Sequence, residues 1–403
     1  MTEHRSSRHS NQSESSSRVD GSAGKQVGTA LGLRVAIVCD WLMGTGGAER
    51  VVLELHQMYP EAPIYTSQYD PDPKIWYGDK WFKDADIRTG WLQKLPKSLR
   101  KFLPVLRAWT FSRLDLRQYD LVISSSGAEA KGVKTAPNTV HISYCHAPTH
   151  YYWTRYKDYL RHPGFGLLNP LARLGLKLLA GPMRRWDKKA AGRPDHLIAN
   201  SSYTQSQIKK YYGRDSIVIH PPVDIERFKL LNKSSIFRSG FVTAGRQTPY
   251  KRIDLAVKAC TKLSLPLTVI GNGPEHQRLI KMAGPTVKFM TGVSDRDMPL
   301  HFQSAEAFIF PAADDFGIVA VEALAAGIPV IAYGEGGATD YIDSKTGVLF
   351  KPQTAETLSK VLEDFSPQAF RPEEVRAKSQ EFSPEVFHNK ITKFIASVRS
   401  DSN

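Results

Sequence analysis

Two carboxylates and two cations in the second half of the sequence have the types and spacing to handle an anionic ligand. Asp314, followed by Asp315, stands eight positions before Glu322 in FPAADDFGIVAVEALAAGIPVIAYG. Glu322 lies within a run of Ile, Val, Ala and Leu, where an unpaired carboxylate is costly to bury, so it needs a partner, and a ligand hydroxyl would serve. Arg246 and Lys251 flank a turn further upstream. A forked guanidinium beside an ammonium suits a diphosphate. In the first half, Gly44, Gly46 and Gly47 precede the helical pattern VVLELHQMY. Glycines there let a backbone approach an anion at the helix N-terminus. His146 ends the strand-like TVHISYC and is followed by Ala147 and Pro148, a position suited to a site. Plainer readings stand beside each of these. Asp314 or Asp315 can be a helix N-cap, Glu322 a solvated charge, Arg246 and Lys251 surface cations, the glycine loop a tight connection, and His146 a satisfied structural residue.

The elements that must position these residues alternate between strand and helix. Asp314 and Asp315 fall between an apolar run ending at Phe310 and the helical Gly317 to Ala326, and Pro329 to Tyr333 forms a second apolar run. LRVAIVC, YDLVIS and TVHISY read as buried strands of the first half; GFVTAG, LPLTVIGNGPEH and VKFMTG, each running into a glycine turn and a helix, repeat the pattern in the second. Such alternation predicts parallel sheets covered on both faces, with strand C-termini and their glycines gathered along one edge. Pro221 and Pro222 interrupt helix and sheet alike and mark the domain boundary. The expected division is a tail over 1–32, one domain over 33–222, a second over 223–382, and a capped amphipathic helix over 383–399 packing across the two.

The chain has 403 residues, of which 41% are hydrophobic and 23% charged, enough for two domains with separate cores. Its three cysteines, Cys39, Cys145 and Cys260, follow no metal or disulfide spacing and read as reduced thiols of a cytoplasmic protein. The formal charge of +14 suits an anionic partner. The first thirty or so residues are Ser-rich and too polar to order themselves, and they lack the apolar core of a signal peptide. No uninterrupted apolar stretch is long enough to span a bilayer, which leaves a soluble or peripheral protein. Two cationic segments suit an anionic membrane surface: 94–117, with Lys94, Lys97, Arg100, Lys101, Arg107, Arg113 and Arg117 beside Trp91 and Trp109, and 173–193, with Arg173, Lys177, Arg184, Arg185, Lys188, Lys189 and Arg193. The alternative is an ordinary solvated helix face. The cations are not interleaved with a nucleic-acid motif, so no nucleic-acid partner is expected.

Read together, GTGGAER, LIANSSYTQSQI, VIHPPVDIERF, TAGRQTPYKRIDLAV, VIGNGPE and DDFGIVAVEALAAGIPVIA resemble the successive motifs of the retaining family-4 glycosyltransferases of the GT-B fold, from about Leu33 to Val398. The resemblance implies an α/β protein with two Rossmann-like domains facing each other across a nucleotide-sugar cleft. YCHAPTHYYW resembles a branch that includes bacterial mannosyltransferases of surface polysaccharide assembly, which implies GDP-mannose as donor and a glycan or lipid-linked acceptor. By the same resemblance Glu322 holds the donor ribose, Arg246 and Lys251 bind its diphosphate, and Asp314 takes the place of the first glutamate of the family's paired acids. The backbone of Phe316 and Gly317 lies near donor sugar and phosphate, His146 faces the donor sugar, and Gly46 and Gly47 close over the phosphates. The loops at Gly271, Gly273, Gly292 and Val293 select the base. The family usually carries Glu where this chain has Asp314, a side chain one methylene shorter.

The chemistry expected of these groups is departure of a nucleoside diphosphate from an anomeric carbon, with the two cations in the role of a divalent metal and no cofactor. Two rival readings remain: another nucleotide-sugar reaction on the same fold, such as epimerisation or hydrolysis, and a basic binding protein without catalysis.

Overall fold

A computed structural model describes residues 32–76, 81–96, 104–228 and 238–400. The polar tail expected over the first residues therefore lies almost wholly outside the described residues, as do Lys97, Arg100 and Lys101 of the first cationic segment.

The apolar runs form two all-parallel sheets. The first contains β1 (Val35–Cys39), β2 (Ile64–Thr66), β3 (Ile87–Thr89), β4 (Leu121–Ser126), β5 (Val140–Cys145), β6 (His196–Ala199) and β7 (Ile217–Val218), in the spatial order β3-β2-β1-β4-β5-β6-β7. The second contains β8 (Phe241–Ala244), β9 (Leu267–Ile270), β10 (Val287–Met290), β11 (Ala307–Phe310), β12 (Val330–Tyr333) and β13 (Gly347–Phe350), ordered β10-β9-β8-β11-β12-β13. Every residue of β1, β4, β8 and β11 is buried, as strands covered by helices on both faces require. In both sheets the strand order reverses direction once, between β1 and β4 and between β8 and β11. A crevice opens where such reversals leave neighbouring loops diverging, and ligands of open α/β sheets bind there.

Registers place the chemistry at those two points. Cys39 pairs with Ser125, so Asp40 and the Ser126–Ala130 loop leave the first sheet side by side. Phe308 pairs with Val242, so the loops carrying Lys251 and Asp314 leave the second sheet as neighbours.

The chain passes between the domains twice. Ile219 belongs to the core of the first domain and Val223 to that of the second; Phe382 belongs to the second and Phe387 to the first. The two passages are joined by the Val223 N–H donating to the Phe382 carbonyl at 2.8 Å. The last helix, Pro384–Ser400, then buries Phe387, Ile391, Ile395 and Val398 in the core of the first domain, and His388 meets Glu54 at 2.8 Å.

The first cationic segment is thinner than its composition implies. Arg107 is buried and ion-paired with Glu129 at 2.8 Å, because a guanidinium facing the interior must find a carboxylate, and Arg117 is paired with Asp115 at 2.7 Å. All of the second segment up to Ala190 lies in one continuous helix, Asn169–Ala190, despite Pro182 within it, and Arg193 follows in the turn after it. Arg173, Arg184 and Arg193 of that segment donate to backbone carbonyls of neighbouring turns. Among the described residues no helix is long and apolar enough to cross a membrane.

Candidate functional site

On the first-domain side, Asp40 organises the loop after β4. Its carboxylate accepts the N–H groups of Gly127, Ala128 and Ala130 at 2.8, 2.9 and 2.7 Å. His146 follows β5, and its Nε2 lies 2.8 Å from the Ser125 hydroxyl, while its carbonyl accepts from Asn200. Burial lowers the His146 imidazole to about 4, against the opposing charges of Asp40 and Asp315. It is therefore neutral at physiological pH and able to donate or accept a hydrogen bond. A cavity of about 220 Å³ opens between Asp40, Glu49, His146, His150 and Tyr159 of this domain and Asp315 of the other.

Gly46 is the N-cap of the Gly47–Met58 helix, with no side-chain cap on it. The Glu49 carboxylate turns back toward it, so that a Cβ on Gly46 would lie 2.6 Å from Oε2. Burial raises Glu49 to about 7, against hydrogen bonds from its own N–H and that of Gly46. A Cβ on Gly47 would meet Ile318 of the opposite domain at 2.7 Å. The glycine loop thus touches the helix that follows Gly317.

On the second-domain side the two expected cations part company. Lys251 forms an ion pair with Asp314, whose other oxygen is 3.3 Å from Arg155 of the first domain. Burial alone would raise this carboxyl, but Lys251 and Arg155 outweigh it and hold Asp314 well below the ordinary carboxylate range. Arg155 also reaches Asp315 at 3.7 Å and stacks on the Tyr250 ring at 3.8 Å, while His150 Nε2 is 2.9 Å from Asp315. Arg246 is exposed at the rim, its charge acting on the Tyr159 phenol across the cleft. Neither aspartate is the N-cap of the Ile318–Ala325 helix. That position belongs to Gly317 at φ +91°, where a Cβ would strike Phe310 and the Tyr341 hydroxyl.

Glu322 has the partner its burial demands, and it is a side chain: Arg227, 2.7 Å from Oε1, which also holds Asp295 at 2.7 Å. Burial pushes this carboxyl up, against the pull of Arg227 and, from across the cleft, Arg50. Asp314 and Glu322 share no partner in these contacts, so eight positions of spacing give two anchor points rather than a pair of acids.

The remaining expected residues divide by what surrounds them. A Cβ on Gly271 would lie 2.2 Å from the Gly245 carbonyl oxygen, and one on Gly273 2.4 Å from that of Gln247. These glycines let the loops after β8 and β9 abut. Gly292, at φ +69°, faces open space, and Val293 packs on the second core. Phe316 is buried, its ring near His220, Tyr341 and Phe382 and its carbonyl accepting from Tyr341 at 2.8 Å.

Arg155, His150, Tyr250, Arg227, Asp40 and Glu49 were not singled out by type or spacing. The signal for Arg155 and His150 was their place in the aromatic-basic run after the His146 strand; Arg227 sits in a conspicuous DIERF after the proline pair. Ser201 caps the Ser202–Tyr212 helix by accepting from Thr204 at 3.0 Å and donates to the Asp315 carbonyl, tying the cap-rich turn to the cleft.

Comparison with known proteins follows this division into halves. Residues 45–227 match the model of Glycosyltransferase Family 4, and residues 236–382 that of Glycosyl transferases group 1. The human alpha-1,3/1,6-mannosyltransferase ALG2 is 24% identical over 413 aligned residues, covering 88% of this chain and 94% of ALG2. The GDP-mannose-dependent alpha-(1-6)-phosphatidylinositol monomannoside mannosyltransferase of Mycolicibacterium smegmatis is 27% identical over 194 residues, 41% of this chain and 51% of that protein. The chain spans about half the length of several curated relatives that it matches, this one among them. Among solved structures, Anabaena Alr3699/HepE in complex with UDP-glucose superposes with a TM-score of 0.63 at 19% identity, over 90% of this chain and 99% of that one. Two parallel-sheet domains meeting at their switch points, each matched by its own family model, make this chain a member of the family 4 and group 1 glycosyltransferases with the GT-B fold.

Proposed function

We propose that this chain is a retaining, metal-independent hexosyltransferase that moves mannose from GDP-mannose to a hydroxyl of a glycan or lipid-linked acceptor, at the cytoplasmic face of the cell membrane, in surface polysaccharide or glycolipid synthesis. The observation that carries the reading is an interdomain cavity in which Asp315 faces His146, with the Lys251–Asp314–Arg155 ion pairs next to Asp315 and Gly47 meeting Ile318 of the other domain. The mannosyl donor is supported by the His146 motif and by the names of the two mannosyltransferase relatives.

In this reading Lys251 keeps Asp314 on one of its three N–H donors and offers the others to the donor diphosphate. Arg246 approaches from the rim. The N-terminal N–H groups of the Gly47–Met58 and Ile318–Ala325 helices add partial positive charge where the leaving phosphate becomes more negative. Such groups stabilise the transition state more than the ground state. Arg227 occupies Oε1 of Glu322, and Oε2 accepts from the ribose hydroxyls. The acceptor hydroxyl attacks the anomeric carbon from the face that the diphosphate leaves. The anomeric C–O bond to phosphate breaks as the glycosidic bond forms, the hydroxyl proton passes to the departing phosphate oxygen, and the configuration is retained.

Calorimetry with GDP-mannose, UDP-glucose and UDP-N-acetylglucosamine in EDTA tests the donor site. GDP-mannose alone should bind, with affinity reduced about tenfold or more in Glu322→Ala, and Lys251→Ala should lower transfer by about two orders of magnitude with the fold intact. Binding of none of the three to folded protein overturns the reading. Sugar release at full rate without any acceptor would favour hydrolysis.

A further inference from the structure

The 22-residue helix Asn169–Ala190 is anchored on one side and over one half only. Its buried residues are Ala180, Met183, Asp187 and Ala190. Asp187, its sole acidic residue, is fully buried, 2.7 Å from the equally buried Lys131, and accepts from Thr149, Trp153 and Tyr212 at 2.9, 2.7 and 2.8 Å. Every ionic side chain that the helix turns to solvent is therefore a cation.

At about 100° per residue, Leu171, Leu174 and Leu178 fall on one stripe opposite Ala180 and Asp187, and Arg185 and Lys189 continue that stripe. The three leucines are 65%, 54% and 67% exposed, and Leu167 in the preceding turn is 100% exposed. Single exposed leucines are ordinary; a row of them is the mark of an interaction surface. The neighbouring helix Pro104–Phe111, whose Ala108 packs with Met183, also carries exposed Leu106 and Trp109.

The chemistry of the row selects its occupant. Leucines want an apolar phase, the cations beside them want anions, and the helix itself is too polar to cross a bilayer. We infer that the Asn169–Ala190 helix lies in the plane of an anionic lipid bilayer, with Leu171, Leu174 and Leu178 at the headgroup–acyl boundary and Arg185, Lys188 and Lys189 on the headgroups. Arg173 ties this helix to the carbonyls of Leu160 and Arg161 at 2.9 and 3.1 Å, at the end of the Tyr156–Arg161 helix whose Tyr159 lines the cleft. Docking therefore brings the cleft to the bilayer surface. This deepens the proposed function, and rests on it, in assigning the surface where a lipid-linked acceptor is met.

The test is sedimentation of the full chain with vesicles of phosphatidylglycerol and phosphatidylcholine, and with phosphatidylcholine alone, in the absence of donor and acceptor. The wild type should sediment with the anionic vesicles and not the neutral ones. The triple variant L171Q/L174Q/L178Q should partition about tenfold less or weaker, and R185E/K188E/K189E should lose the dependence on anionic lipid. Thermal melting and donor binding should be unchanged in both variants. Equal partition of wild type and leucine variant, or no sedimentation of the wild type with either vesicle, overturns the inference. So does a wild-type dimer that the leucine variant converts to monomer without any vesicle binding, which would make the ridge a contact between copies. Vesicle binding that persists in a protein binding no nucleotide sugar would leave the docking surface standing and sink the transferase reading.

Discussion

His146 shows what burial does to a single titratable group. An imidazole lowered to about 4 resists protonation in the folded chain, whereas in the unfolded chain it takes up a proton near its ordinary pKa of about 6.5. Between those values the unfolded state binds more protons, so stability is fully present above about pH 6.5 and is lost as pH falls toward 4. Replacing His146 by Gln should flatten the slope of unfolding free energy against pH near pH 5 by up to about 1.4 kcal/mol per pH unit, read by urea denaturation at several pH values. An unchanged slope would mean that the ring is solvated. At this scale the sequence was legible by type: an acid in an apolar run, two cations on a glycine turn, a histidine at a strand end. Their partners were not. Arg155 reaches Asp314 across 159 positions and Arg227 reaches Glu322 across 95, and no local pattern carries a contact made by the meeting of two distant loops.

At the scale of elements, two glycines with similar backbone sign should respond differently to the same substitution. Gly292 at φ +69° faces open space, so Gly292→Ala should cost about 1 kcal/mol from backbone strain alone. Gly271 at φ +121° abuts the Gly245 carbonyl, so Gly271→Ala should cost about 3 kcal/mol or more, because two loops must separate as well. Equal melting temperatures for the two variants would contradict the packing described. Strand and helix alternation was readable from apolar runs and punctuating glycines, since a strand buried on both faces needs an unbroken apolar segment. The capping was less so. DD before an apolar helix reads as an N-cap, yet ion pairs with Lys251, Arg155 and His150 draw both carboxylates outward and leave the cap to Gly317. Likewise Arg107 counted as surface charge until Glu129 accounted for it.

For the whole molecule, the family assignment followed from motif order, because each half of the chain repeats one architecture. The return of the last helix to the first domain places residues 387 and beyond in a core begun at Val35. Ile391→Ala should therefore destabilise the amino-terminal domain by about 2–5 kcal/mol, although it lies beyond the end of the second, and hydrogen exchange should register the loss in β1 and β4 before β8 and β11. Loss confined to the second sheet would contradict that packing.

The paired crossings at Val223 and Phe382 have a mechanical consequence. Two passages lying side by side and joined by a hydrogen bond gather both covalent links between the halves at one place, where a hinge would sit. The His220 to Asp340 pair at 3.0 Å, three residues before Val223, joins the two halves beside these crossings. Arg155 and Asp314 join the same two halves at a second place, so the length of that contact would register any change in the angle between them.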